Sequence, residues 1–485
     1  MARLLARLYE LREGDGSENH VVLWHVCRVG KVWAYVVAVL LIGYLSMTRS
    51  FAYVGIPALK FFIGEATLGA FLLMHPKAVL GRWITALAQP IPLSGTAWGV
   101  FLLLVYGLFQ LLRGLDLGYR PLTILQNLAF NYYPFYFFLG FWVGSHQPGV
   151  LPRIMRVLAW GNGLYGVAYL LFLNRLAVTI PGSPEVPVFG QSVGSAVAIL
   201  GLIAFESSFA TVWPLLLVNS FVMLGIQVRA EWLGFLVGIL LWGWLTGRLS
   251  RLAIGGMAIV VLLGGMYLAD VNLPASRGRG GSISVQEMTG RILAPLNQEL
   301  ATRYTERAGS YAGTVSWRTD WWRAMWDSVH QDQVRTILGH GYGVPLGDLV
   351  PYLAGDVIRT PHNVFFYALA YGGWLGVAIF FGLQLALAEL LLKAYRLTGQ
   401  AFGLAYWAMA LVEGFFSNFF ETPFGAIPFY LLLGLSVAHA GRELVTRYVV
   451  PPVMSGSVTP MNYVTGWPSR PGRARHGAQV SAQEG

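Results

Sequence analysis

Charged residues are scarce in this chain. Only 12% of its 485 residues are Asp, Glu, Lys or Arg, and 55% are hydrophobic, whereas soluble domains carry roughly 25% charged residues. A soluble fold could not bury so much apolar surface. The apolar residues also fall in blocks of about 17 to 25, the length that a helix needs to cross a bilayer. The composition therefore excludes an ordinary soluble protein and predicts a polytopic membrane protein.

Cysteine and alternating strand patterns are also nearly missing. Cys27 is the single cysteine and cannot form an internal disulfide, which excludes a disulfide framework. Backbone groups must be paired in lipid, so a spanning protein is built from helices or from a closed barrel. The long apolar runs lack the period of two that a barrel strand requires. The predicted fold is therefore all-α.

Familiar motifs for metal and nucleotide chemistry are absent from the sequence. It contains no Asp-x-Asp pair, no HExxH and no GxxxxGK[ST]. The glycine-rich runs at 278–281 and 339–343 follow no predicted strand, so they are interpreted as loop glycines. The net charge of +10 is scattered over helix ends instead of gathered on one face, which argues against nucleic acid as a partner. No metal and no cofactor are expected.

Apolar blocks predict twelve transmembrane helices. They lie near 32–47, 51–74, 95–112, 121–144, 151–173, 189–206, 208–226, 230–247, 251–269, 362–393, 401–419 and 424–441. The stretch 77–94 is interrupted by prolines and charges, and is interpreted as a re-entrant or interfacial piece.

The distribution of basic residues predicts the orientation. With the N-terminus inside, the cytoplasmic segments hold 18 Lys and Arg and the short outer loops hold five, as the positive-inside rule requires. The resulting plan is a cytoplasmic segment 1–31, nine spans within 32–269, an extracytoplasmic loop 270–361, three spans within 362–441 and a cytoplasmic tail 442–485. The tail is poor in apolar residues and is predicted to be disordered.

The large loop is predicted to be a folded element. It carries nine arginines and nine acidic residues, so it is not simply a basic topogenic patch. Helical character is found at 284–304 and at 316–331, and the second helix places Arg318, Trp322 and Trp326 on one face. Dense tryptophans favour the membrane interface, so this helix is expected to lie against the outer leaflet.

Two arginines are candidates for binding an anion. Arg229 begins a predicted span, where a cation is costly unless it has a partner; the alternatives are snorkelling to the interface or pairing with Glu231. Arg318 opens the tryptophan-rich helix, where its planar fork could grip a phosphate in two places. The alternative for Arg318 is a solvated charge or a pair with Asp320 or Asp327.

His362 is the candidate general base. Pro361 favours a helix start beside it, and an imidazole with its ordinary pKa near neutrality can take a proton from a hydroxyl. A helix cap or a satisfied polar residue is the alternative interpretation. His330 and His340 are rival bases in the same loop.

Four segments then resemble a known family. RAEWLGFLVG from 229, RTDWWRAMWDSV from 318, TILGHGYGV from 336 and PHNVFFYALAYGGWLGVAIFF from 361 resemble, in order and spacing, the O-antigen ligase and polymerase family of bacterial surface-polysaccharide assembly. The resemblance covers roughly 220–385 in detail and the twelve-span plan in outline.

The resemblance implies a metal-independent, inverting glycosyltransferase without a cofactor. Its donor would be a glycan on undecaprenyl diphosphate, and it would act at the outer face of the bacterial cytoplasmic membrane. Arg229 and Arg318 would bind the diphosphate, His362 would activate the acceptor hydroxyl, and Asn363 would orient the ring or the sugar. A ligase passes the glycan to a lipid core or a protein, a polymerase passes it to another repeat unit, and both act on the same end of the donor. The resemblance therefore leaves the acceptor open as a glycan, a lipid or a protein.

A transporter, such as a polysaccharide or lipid-linked oligosaccharide flippase, is the competing class. Acidic residues in or beside the predicted spans, such as Glu413 and Glu421, fit either an ion relay or polar pairs between helices. A flippase is expected to place charges in a central cavity built by both halves of the chain. The suggestive residues here are predicted on one face, which favours the enzyme.

Overall fold

The described part of the chain is helical almost throughout. The computed structural model describes residues 18–56, 61–89, 91–191, 193–206, 209–275, 281–350 and 360–448. Strand structure in these ranges is confined to three two-stranded antiparallel sheets, so the all-α prediction is confirmed. The residues 1–17 of the predicted N-terminal segment and 449–485 of the predicted disordered tail lie outside the described residues.

Among the described residues, the first part of the chain forms nine α-helices and two short hairpins. The α-helices are α1 (Glu18–Met47), α2 (Arg49–Ala52), α3 (Ile63–Met74), α4 (Arg82–Ala88), α5 (Ser94–Asp116), α6 (Pro121–Tyr132), α7 (Phe135–His146), α8 (Val150–Leu171) and α9 (Ser195–Phe205). The hairpins pair β1 (Gly55–Ile56) with β2 (Phe61–Phe62), and β3 (Thr179–Ile180) with β4 (Ser183–Pro187). A π-helical turn at Lys77–Gly81 precedes α4, and a 3-10 turn at Leu173–Arg175 follows α8.

The second half contains the candidate residues. Its helices are α10 (Phe209–Ile226), α11 (Arg229–Thr246), α12 (Leu249–Leu268), α13 (Val285–Leu293), α14 (Gln298–Thr302), α15 (Ala308–Val329), α16 (Gln333–Leu338), α17 (Val364–Thr398), α18 (Phe402–Phe416) and α19 (Pro423–Tyr448). Strand β5 (Leu273–Pro274) pairs with β6 (Ser282–Ile283), and a 3-10 turn lies at Leu346–Leu349.

Among the described residues, three helices are long and apolar enough to cross a membrane. They are Val29–Met47, Ser94–Asp116 and Val364–Thr398. Six further apolar helices are shorter, so the count of twelve spans stays a prediction. Three predicted spans are not continuous helices: 51–74 is helical from Ile63 after a hairpin, 121–144 is divided at Pro134, and 189–206 is helical only from Ser195.

Close glycine packing holds helices α7 and α19 together. A Cβ added at Gly140 would collide with the carbonyl oxygen of Leu431, and one added at Gly434 would collide with that of Phe137. Without a side chain at these points the two backbones can approach, as small residues allow in membrane bundles. The pair is part of one large buried core that also includes α1, α8 and α17.

The glycine-rich run at 339–343 packs against a kink in α17. Gly339, Gly341 and Gly343 have φ of 69°, 89° and 93°, a region that favours glycine. The kink lies at Gly373, with φ of 60°, and a Cβ at Gly339 would lie 2.6 Å from the Gly373 nitrogen. Arg113 of α5 donates to the Gly339 carbonyl oxygen at 2.9 Å. The interpretation of 339–343 as loop glycines is correct, and these glycines allow two backbones to approach each other closely.

The loop helices agree with the sequence pattern, and two of their tryptophans pack into the protein, whereas the expected position of the helix against the outer leaflet stays a prediction. Helices α13, α14 and α15 confirm helical structure at 284–304 and 316–331. Trp321 is fully buried and donates from Nε1 to the Leu346 carbonyl oxygen at 2.8 Å. Trp322 is half-buried and stacks on Phe366 with ring centroids 5.4 Å apart. These rings fasten α15 to the protein, because indole N–H groups find partners when they are buried.

Candidate functional site

Arg229 is the first residue of α11, and its side chain reaches into the loop helices. Nη1 donates to the Arg291 carbonyl oxygen at 3.1 Å, and Nη2 donates to Thr314 Oγ1 at 2.7 Å and to the Tyr311 carbonyl oxygen at 3.5 Å. All three acceptors are uncharged. Burial lowers the pKa of Arg229 from its usual value, and the charge of Arg291 adds to this shift. The guanidinium is thus held in a costly setting by neutral oxygens.

The alternative pairing of Arg229 with Glu231 does not occur. Glu231 is 1% exposed, and its Oε1 accepts a hydrogen bond from the backbone N–H of Ala196 at 3.3 Å. The two residues are neighbours on the first turn of α11, but their side chains contact different elements. Among the described residues, no carboxylate forms an ion pair with Arg229.

Arg318 lies on α15, one helical turn beyond Thr314. Residues four apart share a helix face, so Arg229, which contacts Thr314, and Arg318 lie along the same side of α15. Nη1 of Arg318 donates to the Phe416 carbonyl oxygen at 3.2 Å, at the end of α18. Its guanidinium carbon lies 5.4 Å from the centroid of the Trp317 ring, within the range of a cation–π contact.

His362 lies beside Arg318, in the turn just before α17. Its ring centroid is 6.3 Å from that of Trp317 in an edge-to-face arrangement, and Trp322 Nε1 donates to the carbonyl oxygen of Pro361 at 2.8 Å. His362 has φ of 55°, a left-handed conformation that is uncommon for residues other than glycine and that clusters at functional sites. The tryptophan helix thus fixes both the ring and the backbone.

The imidazole pKa differs from the sequence expectation. Burial lowers the pKa of His362 to about 4, and the positive charge of Arg318 contributes to the shift. Both causes disfavour the charged ring. The ring is therefore neutral at pH 7 and able to accept a proton.

The rival histidines are engaged elsewhere. His330 Nδ1 lies 2.7 Å from the Trp326 carbonyl oxygen, and its Nε2 accepts from Trp374 Nε1 at 3.2 Å. His340 Nε2 is 2.9 Å from Ser328 Oγ. Among the described residues, none forms a hydrogen bond with either ring nitrogen of His362. Of the three histidines, His362 is the one whose ring packs against Trp317, next to Arg318.

Asn363 caps α17. Its Oδ1 accepts hydrogen bonds from the backbone N–H groups of Phe365 at 2.9 Å and Phe366 at 3.2 Å, and the residue is 7% exposed. This is the ordinary role of asparagine at a helix N-terminus. The cap fixes the start of α17 immediately after His362, and the orienting of the ring or the sugar by Asn363 stays a prediction.

Two further residues at the site were not singled out from the sequence as binding or catalytic. Arg291 on α13 is buried next to Arg229, but it is one of nine loop arginines and no pattern distinguishes it. Burial raises the pKa of Glu421, between α18 and α19, well above its usual range, with the Asn363 backbone N–H acting in the opposite direction.

The comparisons agree with the residues that meet here. Residues 214–381 match the family model described as O-Antigen ligase. The chain is therefore similar to O-antigen ligases over this segment. It includes Arg229, Arg318, His362 and Asn363, and the resemblance seen in the sequence is confirmed over this segment. No curated protein matches the chain.

This match and the apolar helices support an integral membrane protein with a glycosyltransferase-type role in polysaccharide assembly. In the part of the chain that the structure describes, no three His, Cys, Asp or Glu side chains are grouped to hold a metal ion. The positive charges at this site are those of arginine side chains.

Proposed function

We propose that the protein transfers a glycan from an undecaprenyl-diphosphate donor to an acceptor hydroxyl, with inversion at the anomeric carbon and without a metal ion. The observation that supports this most directly is the convergence of Arg229, Arg318 and a neutral His362 along one side of α15. Arginine forks bind phosphate oxygens in two places. A neutral imidazole accepts a proton.

The proposed reaction is a single displacement. The acceptor hydroxyl oxygen attacks the anomeric carbon, the bond from that carbon to the phosphate oxygen breaks, and undecaprenyl diphosphate leaves with the electron pair. The hydroxyl proton passes to the ring of His362. Arg229 and Arg318 stabilise the negative charge that develops on the leaving diphosphate, which is the electrostatic role usually worth most in such a step.

The partners follow from this chemistry. The donor is a lipid-linked glycan whose polyprenyl chain lies among membrane lipids, and the acceptor is a further glycan, a lipid or a protein. A flippase would need charged groups around a translocation path, whereas the charged groups described here surround one loop and the adjoining helix ends. The grouping favours transfer chemistry.

Release of undecaprenyl diphosphate tests the function. Purified protein incubated with an undecaprenyl-diphosphate glycan and an acceptor is expected to release undecaprenyl diphosphate and to lengthen or modify the acceptor, with the same rate in EDTA. A flippase would leave the donor intact. Loss of release in EDTA, with recovery on addition of magnesium or manganese, would contradict the role of the arginines in neutralising the leaving group.

We also propose that the site faces the outside of the cytoplasmic membrane, as the distribution of basic residues predicts. Ser310 is exposed on α15, close to the site, and suits a single-cysteine test. In a Cys27→Ser background, Ser310→Cys is expected to react with a membrane-impermeant maleimide on intact cells. Reaction only after the membrane is permeabilised would place the site inside the cell.

A further inference from the structure

Arg291 is a second buried cation beside Arg229, and the proposed mechanism assigns it no role. It is 6% exposed, and its guanidinium carbon lies 4.2 Å from the centroid of the Tyr311 ring. Its own carbonyl oxygen accepts the hydrogen bond from Arg229 Nη1. Tyr311 also accepts from Arg229 through its backbone carbonyl, so the two arginines are joined through the same tyrosine.

Two guanidinium groups lie close together around Tyr311. The Tyr311 hydroxyl donates to Glu287, and burial is the largest cause that lowers the pKa of Arg291, with Tyr311 and Glu287 acting in the opposite direction. The contacts of Arg229 are with uncharged oxygens, and the charge of Arg291 lowers the pKa of Arg229. The two partly desolvated guanidinium groups therefore repel each other, and a bound anion would relieve this repulsion.

The position of this pair relative to Arg318 indicates which anion fits. Tyr311, Thr314 and Arg318 follow one another at spacings of three and four residues, so they share one face of α15. The guanidinium of Arg229 lies at Thr314, about 6 Å along the helix axis from the level of Arg318. Two adjacent positive centres therefore lie in a row: the Arg229 and Arg291 pair, and Arg318 beside His362.

We propose that Arg291 and Arg229 form the subsite for the second phosphate of a lipid diphosphate, while Arg318 binds the phosphate bonded to the sugar. This inference rests on the proposed function and adds a basis for specificity. Arg318 suffices for one phosphate, and the Arg291 subsite makes the protein prefer a lipid diphosphate over a lipid monophosphate.

Binding of two lipids tests this specificity without any transfer reaction. Undecaprenyl diphosphate and undecaprenyl monophosphate are titrated against the full-length protein in nanodiscs. Arg291→Met, which keeps an apolar contact with Tyr311, is expected to weaken diphosphate binding about tenfold to one hundredfold, the effect of losing a hydrogen bond to a charged group. Monophosphate binding is expected to change by less than about threefold, and Arg303→Ala, which removes an exposed charge from the same loop, is the matched control.

Glu287→Gln separates a binding role of Arg291 from a structural one. The two variants break the same group of contacts, since Tyr311 contacts both Arg291 and Glu287. A structural role predicts weaker diphosphate binding in both. The subsite predicts opposite results: Arg291→Met weakens binding, whereas Glu287→Gln removes a negative charge and leaves diphosphate binding equal or tighter. Arg291→Lys keeps the charge, and is expected to retain most of the preference.

The outcomes distinguish this inference from the proposed function. If the unaltered protein binds neither lipid, the proposed function fails. If it prefers the diphosphate and Arg291→Met keeps that preference, the function survives and the subsite assignment is wrong. If Arg291→Met does not fold, a weakening of diphosphate binding by Glu287→Gln overturns the subsite, and equal or tighter binding supports it.

Discussion

Replacement of His362 is expected to lower the rate of glycan transfer by about 10²- to 10⁴-fold, the usual contribution of a general base. Donor binding is expected to persist, because the arginines remain. His362 has φ of 55°, and an alanine there would add backbone strain. His362→Gly, which tolerates this conformation, and His362→Asn should therefore be compared with His362→Ala by transfer assays on purified protein.

The matched control for this prediction is His330→Ala. His330 lies in the same loop, with its ring nitrogens against Trp326 and Trp374, so its loss is expected to leave transfer within about threefold of the original rate. A His362→Gly protein that folds, binds donor and transfers glycan at the original rate would remove His362 from the reaction. His340 would then be the next candidate.

The pH dependence follows from the same residue. In the free protein the pKa of His362 is lowered to about 4, so kcat/KM, which reports the free enzyme, should fall only as the pH drops through about 4. Diphosphate bound to Arg318 offsets the repulsion that this arginine exerts on the protonated ring, and should raise the imidazole pKa. The acidic limb of kcat is therefore expected at a higher pH than that of kcat/KM, and coincident limbs would contradict this coupling.

Replacement of Arg229 or Arg318 by alanine is expected to abolish measurable transfer. Each substitution removes a charged fork from the leaving diphosphate, and loss of one donor to a developing negative charge commonly costs about 10²- to 10³-fold. Loss of donor affinity adds to this cost. Transfer rates and donor binding should be measured on variants that are present in the membrane at the original level.

Lysine is expected to be a poor substitute at both positions, because an ammonium group cannot form the planar double contact. Arg323→Ala is the matched control, since Arg323 is exposed on the same helix and lies five residues beyond Arg318, away from its face. If Arg318→Ala retained the original transfer rate, the assignment of diphosphate binding to Arg318 would be wrong. If Arg323→Ala lost as much of the transfer rate as Arg318→Ala, the loss would reflect a general effect of charge.

The site contains one arrangement that a linear pattern could not show. Arg229 and Arg318 are 89 positions apart in the sequence, and their relation depends on Thr314, which contacts Arg229 and shares a helix face with Arg318. Side-chain contacts between distant segments depend on how the helices pack. The sequence predicted which residue types carry the chemistry, whereas the contact of the Arg229 side chain with α15 decides that they lie on the same side of that helix.

The sequence by itself determined the all-α class, the helices of the large loop and the family resemblance. These rest on local quantities: apolar content, helical periodicity and short ordered motifs. The predicted boundaries of the spans were less reliable at 51–74, 121–144 and 189–206, where hairpins and a proline divide or shorten apolar blocks. Periodicity and hydropathy detect the length of an apolar block but do not detect such local turns.

Only the tertiary structure decided the protonation and the partners of the site. The low pKa of His362 arises from burial and from the charge of Arg318. The hydrogen bonds of Arg229 to neutral oxygens depend on the positions of α13 and α15. Arg291 was recognised as a site residue only from its contact with Tyr311. Desolvation and Coulomb energies depend on distances across space. A chain can therefore display its fold class in its composition, while the charge state of its site is decided by the folded arrangement.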